Sequence, residues 1–328
     1  MPRPHERLRV FCSHLKPRQC PAGAVSTLRQ ALSADEEAEA LGLRCTPLSP
    51  VFGVRVHGLD GSRPASAATA SCVRALLARH KLLLIASGRL SVPQLASLGR
   101  SLELGEGEEF GASDLADYFS VPVPEENNVM QIEYGPEVAP ADINIWQCAS
   151  PPCPPSSRDP SGSPAWFLDS QDHSWHESPT RFELSYADLV PPSGGDVIFA
   201  DAAAAHDSLS PPMRAMLAGT TCVTVLANGY QNLDIQQPEF AQALADRPPI
   251  QQPVIAVDPE SGVRTLNVNA AYSHRIVELS KAESEAVLPM LCAHVTAPEH
   301  CVRISYEQGD ICLFVSTRPS PPPANSPA

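Results

Sequence analysis

Aromatic side chains are scarce in this chain: Phe, Trp and Tyr make up 5% of its 328 residues. That scarcity, beside 35 prolines, argues against a long-helix or coiled-coil protein. Basic residues are also few, 23 Lys and Arg against 37 Asp and Glu, for a formal charge of −14. Nucleic acids and anionic membranes are bound mainly through dense Lys/Arg patches, so neither is an expected partner, and an anionic substrate would need a local basic pocket. No stretch reaches the ~18 uninterrupted apolar residues of a membrane span, and residues 1–20 lack the apolar segment of a secretory signal. Their arginines are compatible with organelle import, while the cytoplasm is the expected location. The ten cysteines form no CxxC pair and no regular framework, which argues against a zinc ribbon or a disulfide scaffold and for reduced intracellular thiols.

What the chain does have is 43% apolar residues, enough for a sizeable core, and a length within reach of one elaborated β-barrel or jelly roll. Its prolines are unevenly placed: eleven of the 35 fall in the 38 residues of 147–170 and 315–328. Both stretches are Ser/Pro-rich and lack periodicity, a composition that packs no core. The expected organisation is a variable or disordered N-terminus over 1–44, a domain over 45–314 interrupted by an insertion at 147–170, and a disordered Pro-rich tail at 315–328.

Elsewhere the pattern is α+β, mainly β. Residues 72–80 read as a helix running into an apolar strand at 81–86. Ser91 opens a helix over about 92–103, Ser210-Pro211-Pro212 opens one that stops at Gly219, and Ser280 with Glu283 forms a capping box for a helix to about 294, kinked at Pro289. Short strands are expected at 51–57, 129–133, 182–187, 197–200, 221–226, 254–257, 264–269, 302–306 and 311–314. Many short strands with helices at intervals suggest a sandwich or barrel with helical decoration.

The densest group of potential metal ligands is Asp172-His173-Ser174-Trp175-His176-Glu177. On a strand, Asp172 and His176 share a face and His173 and Glu177 point away; the alternative is a polar loop or strand edge. His57, His80, His206, His274, His294 and His300 read as structural or solvent-facing. Asp196 and Asp201 flank a strand-to-helix turn as turn and cap residues, and Gly194-Gly195 permits a tight turn without the Lys-Ser/Thr of a phosphate loop. Arg275 reads as a surface charge.

Five blocks together carry a resemblance: Leu48–Gly61 (LSPVFGVRVHGLDG), Val73–Ile85 (VRALLARHKLLLI), Pro191–Leu217 (PPSGGDVIFADAAAAHDSLSPPMRAML), Thr265–His294, and Gln308–Phe314 (QGDICLF). In order and spacing the chain resembles the TauD/TfdA-like Fe(II)- and 2-oxoglutarate-dependent dioxygenases over roughly 48–314. The resemblance implies a double-stranded β-helix, a cupin-like jelly roll with flanking helices. It also implies an iron held by two His and one carboxylate, with three positions left for bidentate 2-oxoglutarate and O2. The reaction implied is oxidation of a small organic substrate such as a sulfonate or other organic acid, and a homo-oligomer is left open.

Carried over residue by residue, Asp172 takes the carboxylate position. Ser170 stands where the first His is required, and Val197 stands where a Thr often bonds 2-oxoglutarate. After Phe314 the chain reads Val315-Ser316-Thr317-Arg318, without the second His or the Arg clamp, so the last strand or strands are expected to be missing. His176 is a substitute ligand to weigh beside Asp172. A catalytically inactive, truncated or mis-spliced product that at most binds a ligand or partner is the alternative to the enzyme.

Both departures coincide with the Pro-rich stretches, which points to translated introns. Gln147-Cys148 is compatible with CAG-TGY, containing a GT donor, and Ser170 with AGY, containing an AG acceptor. Excision joins CA to a pyrimidine and reads Trp146-His-Gln171-Asp172, restoring the missing imidazole in frame. Val315-Ser316 is likewise compatible with a GTRAGT donor. Sequencing the mature transcript across codons 140–180 is expected to show this excision; reads that retain the printed sequence throughout would refute it.

Overall fold

The computed structural model describes residues 8–16, 34–104, 106–107, 121–123, 126–134, 145–147, 182–190, 196–226, 242, 245, 247–258 and 261–315. In chain order its strands begin with β1 (Leu8–Lys16), β2 (Arg44–Pro47), β3 (Val54–His57), β4 (Leu82–Ala86), β5 (Glu106–Gly107), β6 (Val121–Val123), β7 (Glu126–Tyr134), β8 (Ile145–Gln147) and β9 (Phe182–Leu189). They continue with β10 (Val197–Ala200), β11 (Thr221–Thr224), β12 (Ile250–Pro253), β13 (Ile255–Val257), β14 (Arg264–Leu266), β15 (Ser273–Ile276), β16 (Cys301–Ile304) and β17 (Asp310–Val315). The helices are α1 (Ala34–Ala40), α2 (Ala67–His80), α3 (Val92–Ser101), α4 (Ala202–Ser208), α5 (Pro211–Leu217) and α6 (Lys281–Val295). The chain is thus a mixed α/β protein that forms two compact units, the first holding β1–β7, β9, β17 and α1–α3, the second β8, β10–β15, α4–α6 and most of β16.

The first unit is organised by a nine-stranded sheet in the order β2-β3-β4-β17-β9-β1-β7-β6, with β5 beside β1; β3 and β4 run parallel and the other pairs antiparallel. Leu82, Leu83, Leu84 and Ile85 are all buried, as are Leu184–Ala187 on β9 and Ile311–Phe314 on β17. An uninterrupted apolar run fits a strand covered on both faces, whereas a half-exposed strand would alternate. Against this sheet α2 turns a stripe at helical spacing, Ala70, Val73 and Leu77 with Cys72 and Leu76, all buried. Ser66 caps it by accepting from the Thr69 amide, so the helix starts five residues before the expected Cys72. It ends at Lys81, held in the left-handed region (φ 65°), whose N–H donates to the Leu77 carbonyl and hands the chain directly to β4. Ser91 and Gln94 close a reciprocal capping box on α3.

One ion pair crosses this sheet. Arg55 on β3 reaches past β4 to Asp310 at the start of β17, Nη2 to Oδ2 at 2.8 Å and Nη1 to Oδ1 at 3.3 Å. Asp310 is buried and also accepts from the Glu307 N–H at 2.9 Å. Burial pushes its carboxyl up, against the pull of that amide and of Arg55.

In the second unit the sheets are small: β16-β10-β8, β12-β11-β15 and the pair β13-β14. Its core joins Leu217, Cys222, Val254, Leu266, Ile276 and Leu291 among others. The helix starts follow the sequence signals: Asp201 accepts from the Ala203 and Ala204 amides at α4, Ser210 opens α5, and Ser280 with Glu283 boxes α6. Pro289 lies inside α6, which continues past it to Val295. Buried Ser284 anchors the helix to β15 by accepting from the Ile276 N–H at 2.9 Å.

The turn before β17 depends on a glycine. Gly309 has φ +91°, and a Cβ built there would lie 2.6 Å from the Gly88 carbonyl carbon and 2.7 Å from its oxygen. Gly88 itself has φ +72° but open space where its Cβ would be. Gly88→Ala is therefore expected to cost about 1 kcal/mol of backbone strain, and Gly309→Ala upwards of about 3 kcal/mol because the backbones must also part. Urea midpoints of the two variants check the order; equal losses would contradict the packing argument.

Candidate functional site

Asp172 lies outside the described residues, and so do Ser170, His173, His176, Gly194 and Gly195. What the structure does describe is the ground on either side. β8 and β10 pair in parallel with Ile145 opposite Val197, Trp146 opposite Ile198 and Gln147 opposite Phe199. The last residues before the 147–170 stretch are thereby set beside the strand that follows Gly194-Gly195-Asp196. Val197 and Phe199 face inward and are buried, Ile198 and Ala200 half-buried, so the strand presents no polar side chain at Val197.

The Thr265–Ile276 block forms β14, a turn and β15. Its buried amides are paired: Asn267 Nδ2 donates to Gln252 Oε1 at 3.2 Å and to the Pro253 carbonyl at 3.1 Å, and Asn269 Oδ1 accepts from the Tyr272 N–H at 2.6 Å. These bonds hold the turn in shape without leaving a desolvated amide unpaired. His274 and Arg275 are exposed on β15, the latter as the surface charge expected.

Of the histidines read as structural or solvent-facing, His57 and His80 lie in the first unit, His274 is exposed, and His294 and His300 meet in the second unit. The Ser208 hydroxyl at the end of α4 donates to the Ala205 carbonyl at 2.9 Å and lies 3.0 Å from both His294 Nε2 and His300 Nε2. His294 Nε2 is also 2.9 Å from the Ala205 carbonyl, which only accepts, so this nitrogen carries a proton. His294 and His300 thus converge on one hydroxyl oxygen. The rings meet edge-on with centroids 5.2 Å apart. His206 is buried against Asp207, Nδ1 to Oδ1 at 2.9 Å. Nothing near Ser208 in the sequence signals this clasp, because its partners lie 86 and 92 residues away.

Among the described residues no group of three or more His, Cys, Asp or Glu comes together to hold a metal, so no described side chain is assigned to iron. Cys45, Cys72, Cys222, Cys292, Cys301 and Cys312 are free thiols. Burial is the main cause that pushes Cys72 and Cys301 up to about 11 and Cys312 up to about 12.

Burial, with His294 beside it, also pushes the His300 imidazole down. The unfolded chain then takes up this proton first as pH falls. The stabilisation is complete above the unfolded value near 6.5 and is lost as pH drops towards the lower folded value. Urea midpoints between pH 8 and pH 5 are expected to fall for the native chain and to fall less for His300→Gln; parallel curves would contradict the assignment.

Comparison with known proteins agrees with the sequence reading. A family described as "Taurine catabolism dioxygenase TauD, TfdA family" matches residues 44–318. The alpha-ketoglutarate-dependent 2,4-dichlorophenoxyacetate dioxygenase of Cupriavidus pinatubonensis is 25% identical over 268 residues, 82% of this chain and 87% of the relative. The alpha-ketoglutarate-dependent sulfate ester dioxygenase of Pseudomonas putida is 25% identical over 284 residues, 84% of this chain and 82% of the relative. Among solved structures, AAD-2 in complex with Mn(II) and N-oxalylglycine shares the fold with a TM-score of 0.60 at 18% identity, over 84% of this chain and 88% of that one. A putative alpha-ketoglutarate-dependent taurine dioxygenase from Burkholderia xenovorans does so with a TM-score of 0.57 at 20% identity, over 84% and 83%. These similarities favour the enzyme over the inactive product. With a match that runs from β2 past β17, the chain belongs to the TauD/TfdA family and is a dioxygenase by that membership.

Proposed function

We propose that this dioxygenase oxidises a small organic acid or ester, of the sulfonate, sulfate ester or aryloxy acid class, with Fe(II) as cofactor and 2-oxoglutarate and O2 as co-substrates. The observation that carries the reading is the extent of the family match, residues 44–318, supported by relatives that align over more than four-fifths of their own length. Iron, when bound, supplies the activation of O2 that no amino-acid side chain provides. The protein's share is to hold 2-oxoglutarate and substrate beside it.

In this reading the fold is a double-stranded β-helix lacking its last strand or strands, and Asp172 is the carboxylate ligand. The dioxygenase domain is 45–314, interrupted at 147–170 and flanked by 1–44 and the 315–328 tail. Among the described residues no helix is long and apolar enough to cross a membrane. A cytoplasmic location rests on the sequence reading above.

The test is Fe(II)-dependent release of succinate from 2-oxoglutarate in the presence of an aryloxyacetate, an alkyl sulfate or an alkylsulfonate. The chain as it stands is expected to show essentially no turnover, and in a chain with the His ligands restored Asp172→Ala is expected to abolish turnover while leaving the thermal midpoint near that of its parent. A chain in which a single His replaces residues 147–170 is expected to exceed the printed sequence. Unchanged turnover in Asp172→Ala would remove Asp172 from the metal; equal turnover with and without the 147–170 stretch would remove the need for the restored His.

A further inference from the structure

β1 consists of residues 8–16, well upstream of the segment 44–318 shared with the family. It is not at the margin of its sheet. On one side Val10, Phe11, Cys12, Ser13, His14 and Leu15 pair with Ala187 through Phe182 of β9; on the other Leu8–Cys12 pair with Tyr134–Met130 of β7. Both pairings are antiparallel, and the last two residues of β1 also pair with β5. Among the described residues β1 is the only strand that joins the block β2-β3-β4-β17-β9 to the pair β7-β6.

The demands of β9 explain why that position needs a strand. Five consecutive β9 residues, Glu183 to Ala187, are buried. A strand buried on both faces belongs in a sheet interior, because an open edge there would leave a row of backbone N–H and C=O groups without water or partner. β17 satisfies one edge of β9, and β1 satisfies the other. Without β1, β7 and β9 would face each other across two strand spacings, about 9.6 Å, too far for direct hydrogen bonds. The sequence of β1, LRVFCSHLK, suits the position: it carries neither Pro nor Gly.

We propose that the N-terminal strand is an intramolecular ligand for a strand-wide slot between β7 and β9. The family segment of this chain is then not a self-sufficient folding unit: residues 8–16 of the same chain complete it by β-augmentation in cis. The proposal is independent of the catalytic reading.

The register supplies the test in the full-length chain. Cys12 is opposed to Met130, and directly opposed Cα atoms lie about 4.5–5.5 Å apart, within disulfide range. In Met130→Cys, mild oxidation is expected to give an intrachain link from Cys12 to the new thiol, found by mass spectrometry of the unreduced digest, with the protein monomeric on a denaturing gel. Gln131→Cys, opposite Phe11 and on the other face of the strand, is expected not to link to Cys12. A Cys12 freely alkylated in the native Met130→Cys protein would overturn the proposal, and so would a link between two chains. Val10→Pro provides a second reading, since proline removes a backbone donor from an interior strand. Its thermal midpoint is expected to drop by several degrees with faster amide exchange in residues 182–189; no change in either would equally overturn it.

Discussion

The sheet of the first unit is built outwards from the buried ladder of β4, β17 and β9. Leu82–Phe314, Leu83–Leu313, Leu84–Cys312 and Ile85–Ile311 are opposed across one seam, and β9 continues the pairing on the far side of β17. One face of these strands, Leu83, Ile85, Leu184, Tyr186, Ile311 and Leu313, is apolar and buried, and residues of α2 and α3 pack with it in one core. The same seam determines where polar groups can be tolerated. Asp310 enters the ladder only because Arg55 and the Glu307 amide meet it there, and removing Arg55 would leave a buried carboxylate uncompensated.

Local signals account for the parts of the fold that were legible in the sequence. Ser91, Ser210 and Ser280 mark helix starts because a side-chain oxygen at that position satisfies amides the helix leaves free, a constraint contained within four residues. The Leu82–Ile85 run announces a buried strand for an equally local reason. β1 and the Ser208 clasp were not legible, since each is defined by partners more than eighty residues away in sequence. A nine-residue strand without a turn signal reads the same whether it is paired or not.

The catalytic reading has a different footing. The proposal of Asp172 as the carboxylate rests on the position of its block relative to Pro191–Leu217, and the structure contributes the pairing of β8 with β10 on either side of it. In the sequence comparison Ser170 and Val197 differ from the family in side-chain chemistry, so in the proposed reading the scaffold and the ligand set are separate questions. Family membership speaks for the first; the residues themselves must speak for the second.

The thiols carry a consequence for an enzyme that handles oxygen. Cys72, Cys301 and Cys312 are held almost wholly protonated at neutral pH by their burial. Sulfenic acid forms from the thiolate, so these sulfurs react slowly with peroxide. Burial that serves stability thereby also slows the reaction of these sulfurs with peroxide.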